Sequence, residues 1–302
     1  MTSSKNNILY NKLLRNLNNT KWLQKWSIDK KLINEHLRNT NFISIFNSIL
    51  DERDYSCKKT LILCHNMMIE LSNSIEVADW LNYIFQYTLN KSFPEAVTIN
   101  IDDKLSSACE FYLRILRFMC DCQKISDDLT WQSKYPMNFL TVSEENNLEY
   151  KDEYKKFVFA FKLDFVYEMM KLSQEVYQYN TMDHVCGVHF LALFIARQLK
   201  DLNIPIDLGR VSGATAGHDI GKYGCKGNEL KRVPYLHYYY TGQWFKNHKI
   251  TYIRNIAINH STWDLEFENL SLEALILIYC DFRVKNINIS NSVEMHIYTL
   301  SE

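Results

Sequence analysis

The sequence is poor in chain breakers, with 8 Gly and 4 Pro in 302 residues. That scarcity argues against the turn-rich patterns of sandwiches and barrels, and predicts an all-α protein. A field of either sign is also missing. Lys and Arg number 34 against 35 Asp and Glu, a formal net charge of -1, so bulk electrostatics recruit neither nucleic acid nor an anionic membrane. No apolar run approaches the roughly 20 residues of a membrane span; stretches such as 274–280 suit buried helices. The first 17 residues are polar and lack the apolar region and small-residue cleavage site of a secretory signal, so the chain reads as cytoplasmic. Its eight cysteines contain no Cys-x-x-Cys pair, and in that compartment they read as reduced, buried thiols. Cys120-Asp121-Cys122 alone is too little for a soft-metal site.

Aromatic residues are plentiful, with 19 Tyr and 16 Phe, bulk that suits helix interfaces. Apolar residues recur at three- and four-residue steps, as in Ile33 and Leu37, then Phe42, Ile45, Phe46 and Ile49. This spacing predicts successive amphipathic helices from residue 22 to about residue 122, including 58–71, 75–89 and 105–122. Residues 1–20, rich in Asn and Lys, are expected to fray, and 97–101 reads as a short strand or an extended link. His36 and His65 stand alone, and a lone histidine on a helix is a core or surface residue. The polar, acidic stretch 126–149, with Pro136, reads as a linker or exposed loop. The expected organisation is a helical accessory domain over 1–150 and a second helical domain over 151–302. The second opens with one helical pattern over 154–177.

All eight glycines fall between Gly187 and Gly242, and Gly209, Gly213, Gly217 and Gly221 are spaced by four. On a helix they form one nearly bare stripe, at about 0.5 to 1 kcal/mol per glycine relative to Ala. The stripe predicts close approach of another backbone, and Gly221 is a natural C′ residue. His218 and Asp219 then fall in the last turn. Thr181 offers an N-cap to a preceding helix with His184 near its start, and Asp207 caps the striped helix after the turn 203–207. Two antiparallel helices of about 15 residues, roughly 22 Å each, return His218-Asp219 to the side of His184.

Further on, His237 opens the segment 235–245, His260 closes 251–260, and Asp281 is embedded in the apolar helix 272–284. An aspartate there is costly unless it pairs with Arg283 or Lys285 or binds a cation. Taken with four histidines and a second aspartate on neighbouring helices, the cation is the better account.

His184, then His218-Asp219, then Asp281, set in helices over about 161–285, resemble the H…HD…D signature of the HD-domain metal-dependent phosphohydrolases. His237 and His260 resemble the two extra ligands of binuclear members. The phrases His218-Asp219-Ile220-Gly221-Lys222, Leu236-His237 and His260-Ser261-Thr262 look most like the HD enzymes that split diadenosine tetraphosphate symmetrically. Cyclic-dinucleotide phosphodiesterases share the first phrase, but no Gly-Tyr-Pro motif is present and Asn259-His260 stands where that type has paired histidines.

The resemblance implies a helical HD bundle holding two divalent transition-metal ions, Fe or Mn ahead of Co or Zn. His184, His218 and Asp281 would hold one ion and His237 and His260 the other, with Asp219 bridging. It also implies cleavage of a phosphoester or phosphoanhydride bond of a nucleotide or dinucleotide by a metal-bound hydroxide. Lys222 is a candidate for contact with phosphate or developing charge, and equally a cation at a helix C-terminus. Ser261, Thr262 and Arg283 are candidate substrate contacts, with Lys285 a weaker one. His189, five residues after His184, faces elsewhere and reads as structural. His248 sits in a polar turn and is expected in solvent. Tyr238, Tyr239, Tyr240, Trp244 and Trp263 offer stacking surface, although such runs are mostly core; Cys225 is not needed by the chemistry. The competing reading is a regulatory module that senses a nucleotide without turnover, but the complete donor set favours turnover. The chain stops soon after Asp281, at Leu300-Ser301-Glu302, without a capping motif, which leaves room for further domains of a longer protein.

Overall fold

The computed structural model describes residues 4–18, 20–127, 130–260, 270–289 and 292–302. In chain order the helices are α1 (Ser4–Leu17), α2 (Thr20–Lys25), α3 (Lys30–Leu37), α4 (Thr40–Glu52), α5 (Cys57–Leu71), α6 (Trp80–Ser92), α7 (Ser106–Lys124), α8 (Trp131–Lys134), α9 (Val142–Asn146) and α10 (Lys151–Leu163). They continue as α11 (Val166–Tyr177), α12 (Met182–Asp201), α13 (Leu208–Gly217), α14 (Val233–Asn247), α15 (Tyr252–Ala257) and α16 (Leu272–Arg283). One antiparallel hairpin follows, β1 (Val284–Ile289) with β2 (Ser292–Ile297), pairing Val284 with Ile297. The fold is all-α, and the hairpin is the only sheet among the described residues. No described helix is long and apolar enough to cross a membrane. All eight cysteines are free and buried.

The chain divides into two compact units. Met1–Thr88, Thr98–Ser133 and Lys171–Tyr179 form the first, and Leu89–Val97, Lys134–Met170 and Asn180–Glu302 the second. In the first unit α7 is apolar on nearly every face, with Phe111, Tyr112, Ile115 and Met119 fully buried, as a central helix must be. Asp29, Asn39 and Ser56 cap α3, α4 and α5 by accepting backbone amides. Residues 4–17 form a helix rather than a frayed end. Leu9, Leu13 and Leu17, each four apart, are buried under the Asn- and Lys-rich outer face. Residues 97–101 are a link without strand pairing, tied down where Thr98 donates its amide to Gln86.

The stretch expected as a loop, 126–149, contains α8 and α9, and α9 begins with a capping box between Thr141 and Glu144. The helix expected over 154–177 is two helices. Phe165, with φ of 55°, breaks the run, and Ala160 and Lys162 carbonyls close the first segment.

α13 lies at the middle of the second unit, packed by α10, α12, α15 and α16. Its glycines provide sockets for side chains. A Cβ on Gly209 would meet Leu148, one on Gly213 would meet Ile253, and one on Gly217 would meet Phe245, all at 2.7 to 2.8 Å. Only Gly221 admits another backbone in the way the stripe predicts: its Cβ would stand 2.0 Å from the His237 carbonyl oxygen and 2.3 Å from the Thr241 nitrogen. The helix also ends sooner than Gly221 suggests, at Gly217, and a 3-10 segment covers Ile220–Gly224.

Candidate metal centre

α12 presents His184 from its first turn, and α13 packs against α12 so that the His218-Asp219 turn arrives beside it. His218 Nε2 lies 3.4 Å from His184 Nε2. Asp219 Oδ2 is 3.6 Å from each of these nitrogens, and its other oxygen, Oδ1, is 3.7 Å from His237 Nε2 on α14. His237 Nε2 in turn lies 3.2 Å from Nε2 of His260, which follows α15. Asp281, near the end of α16, places Oδ1 2.9 Å from His184 Nε2 and 4.0 Å from His218 Nε2. Two groups result: His184, His218 and Asp219, and Asp219, His237 and His260. Within each, the donor atoms lie within 4.8 Å of one another.

The other nitrogen of each ring decides what these atoms can do. Nδ1 lies 3.0 Å from the Val284 carbonyl in His184, 2.8 Å from Thr215 in His218, 2.8 Å from Val233 in His237 and 2.5 Å from Ala257 in His260. A carbonyl only accepts, so each Nδ1 carries a proton, and in the neutral rings of His218, His237 and His260 a lone pair turns inward from Nε2. Burial pushes His237 and His260 down to about 4, and lowers His218 as well. At neutral pH the facing pair His237 and His260 therefore offers two lone pairs and no proton between them. Such a pair is repulsive alone and satisfied by a cation. The donors present thus fit metal ions.

Burial alone would raise the Asp219 carboxyl; the charge of Lys222 and the surrounding imidazoles more than offset it and hold the group well below its ordinary range. Because the buried rings are neutral near pH 7, the standing cation is Lys222, whose Nζ lies 2.5 Å from Oδ2. Asp281 is likewise held low against burial, by the His184 bond, His218 and Lys285 Nζ at 3.5 Å.

The turn that carries the doublet is stapled to α14. Thr241, fully buried, donates its hydroxyl to the His218 carbonyl and accepts the Gly221 amide, both at 3.0 Å. The bare face of Gly221 lets this happen.

Of the sequence-predicted site residues, His184, His218, Asp219, His237, His260, Asp281 and Lys222 come together. Arg283 does not join them: its guanidinium donates through Nε (2.8 Å) and Nη2 to the Tyr298 carbonyl. The hairpin draws it there. Ser261, Thr262 and Trp263 lie outside the described residues. Tyr238 packs its ring 3.9 Å from that of His237 and 4.6 Å from that of His260. Tyr239 is exposed, Tyr240 donates to Glu229 (2.8 Å), and Trp244 is buried with Nε1 on Asp164 (2.9 Å). His189 is buried against Ser212, 3.0 Å away. His248, expected in solvent, is half-buried with Nε2 2.9 Å from the buried Asp164 carboxylate, which draws it inward. Thr241, and the carbonyls that orient the rings, escaped the sequence reading. The i−3 and i−4 spacing of Thr215, Val233 and Ala257 from their histidines was the available signal.

Comparison with family models, with curated proteins and with solved structures finds no match to this chain.

Proposed function

We propose that this chain is a metal-dependent phosphohydrolase of the HD-domain type, acting on a phosphoester or phosphoanhydride bond of a nucleotide or dinucleotide. The observation that carries the reading is the sharing of Asp219 between two compact groups of inward-turned imidazole nitrogens. His184, His218, Asp281 and Asp219 would hold one divalent ion, and His237 and His260, sharing Asp219, a second. Nitrogen and carboxylate donors without thiolate suit Fe, Mn, Co or Zn. Ions held there would lower the pKa of water and neutralise the oxygens of a phosphate.

The chain's own residues do the rest. The carbonyls on Nδ1 fix each ring's tautomer and aim before any ligand arrives. Burial of His218, Asp219, His237 and His260 strips bulk water from the donors and strengthens every charge interaction among them. Lys222, with 26% of its side chain exposed, reaches from Asp219 to the rim of the cluster, where its ammonium can bond a phosphate oxygen and its developing charge.

The test is elemental analysis of the chain purified without chelator, beside Asp219→Ala. About two ions per chain, lost in the variant, together with turnover of a phosphoester or phosphoanhydride nucleotide, is the expected result. Absence of specific metal after anaerobic reconstitution with Fe or Mn would overturn the reading and leave a helical sensing module. Metal without turnover of any nucleotide would overturn the hydrolase assignment alone.

A further inference from the structure

Four of the helices that lead to candidate ligands, α12, α13, α15 and α16, come together again at their opposite ends. α12 carries His184 in its first turn and Lys200 in its last; α13 starts with Arg210 in its first turn and leads into His218. α15 begins at Tyr252 and leads to His260, and α16 has Glu273 near its start and Asp281 near its close. Around these far ends lies a cavity of about 380 Å³ whose lining includes Glu149, Tyr150, Lys200, Asp207, Arg210 and Glu273.

Arg210 dominates it. Its guanidinium carbon stands 3.8 Å from the Tyr150 ring centroid and 4.8 Å from that of Tyr252, two rings 5.4 Å apart. Held against two ring faces, it bonds through its in-plane edge. Nε is buried and has no hydrogen-bond partner among the described residues. The nearby carboxylates are engaged with backbone instead: Asp207 Oδ1 accepts the Arg210 amide (2.8 Å), and Glu273 Oε1 accepts the Asp207 amide (3.0 Å). The helix start is thus already capped, and the free donors belong to the side chain. Glu273 itself is buried, at 8% exposure, and wants a cation.

Charge decides the ligand class. Lys200 and Arg210 face three carboxylates, Glu149, Asp207 and Glu273, so the lining is net negative by one. A plain phosphate or a nucleotide meets the wrong balance. The lining nevertheless presents both signs, Lys200 and Arg210 among the three carboxylates, so a molecule bearing a carboxylate and an ammonium finds a partner for each, and the volume suits one of small size. We infer that this cavity binds a small zwitterion of the α-amino-acid kind, its carboxylate on Arg210 and its ammonium toward Glu149 and Glu273. The cavity adjoins the far ends of helices that lead to the metal donors, with Arg210 eight residues, about 12 Å, before His218. Any effect on turnover rests on the hydrolase reading; binding does not.

The common amino acids, applied singly at up to about 10 mM, are tested on the full chain by thermal melting and calorimetry, with inorganic phosphate and AMP as anionic probes. At least one amino acid binds saturably, equally well to Asp219→Ala, and at least about tenfold more weakly to Arg210→Met and Glu149→Gln. Binding by none, Arg210-dependent binding of phosphate or AMP alone, or binding untouched by both variants overturns the inference. If Arg210→Met does not fold, Glu149→Gln, at an exposed position, decides. Loss of binding in Asp219→Ala would place the ligand at the metal centre and overturn it too.

Discussion

Gly221 lies so close to His237 that a single added methyl group would come within 2.0 Å of the His237 carbonyl oxygen. The atom it meets is backbone, which cannot rotate away, so Gly221→Ala must push the doublet turn off α14. Overpacking of this kind costs about 1 to 3 kcal/mol, and the upper end is expected here. Denaturant titration should show the loss, and metal content should fall with it. A fully stable alanine variant would mean that the two segments are not in contact.

Thr241→Val keeps the shape and removes the hydroxyl. The His218 carbonyl and Gly221 amide then lose a buried partner together, for a cost of about 2 to 4 kcal/mol. Thr241→Ser should restore most of it. Equal melting curves for the valine variant and the parent would refute the staple.

Lys222→Met should leave metal content near the parent value, because Lys222 supplies no donor to the cluster. Turnover should drop by about a hundredfold. The metal-free variant should also bind protons at Asp219 more readily, since its standing cation is gone. An unchanged kcat would remove Lys222 from the chemistry.

His36 in the first unit provides a pH test independent of the cluster. Burial lowers it from 6.5 to about 4, and its Nε2 is buried without a hydrogen bond among the described residues, beside Phe42 and Phe111. Between these values the unfolded chain takes up a proton that the folded chain refuses, so stability rises with pH there. The contribution is complete above pH 6.5 and disappears as pH falls to about 4. Urea melts across that window should show a shallower slope for His36→Phe than for the parent, once His237 and His260, which titrate in the same direction, are held constant by comparing metal-free chains. Glu144, held down to about 2 chiefly by its Arg197 bond, acts in a lower window and does not confuse the comparison.

The helical class was legible because apolar residues three and four apart can be buried together only on a helix. The six donors were legible as a set because each sits at or near a helix terminus, where chain order and antiparallel return limit which ends can meet. Other features depended on distant partners. The stop at Gly217 could not be read from Gly221, a plausible C′ residue, because the Thr241 hydroxyl twenty residues on bends the turn into a 3-10 path. Arg283 looked free to reach the site until the hairpin brought the Tyr298 carbonyl to it. In α1 the Asn and Lys content described the wet face and concealed a Leu9, Leu13, Leu17 seam. His248 gave no local sign of Asp164, whose position depends on the break at Phe165.

The glycine sockets of α13 carry a further consequence. A helix whose small residues repeat every four positions is, along that stripe, nearly the same object after sliding by one turn, about 6 Å. Ile253 would then find Gly217 or Gly209 in place of Gly213. The stripe alone leaves that register degenerate, and contacts off the stripe select it: Asp207 grips the Arg210 amide at one end, Thr241 grips the doublet turn at the other, and Ser212 between them meets Tyr154 and His189. A slide would have to break all these grips at once and would carry His218 and Asp219 a full turn out of line, so α13 behaves as a latch with one seated position.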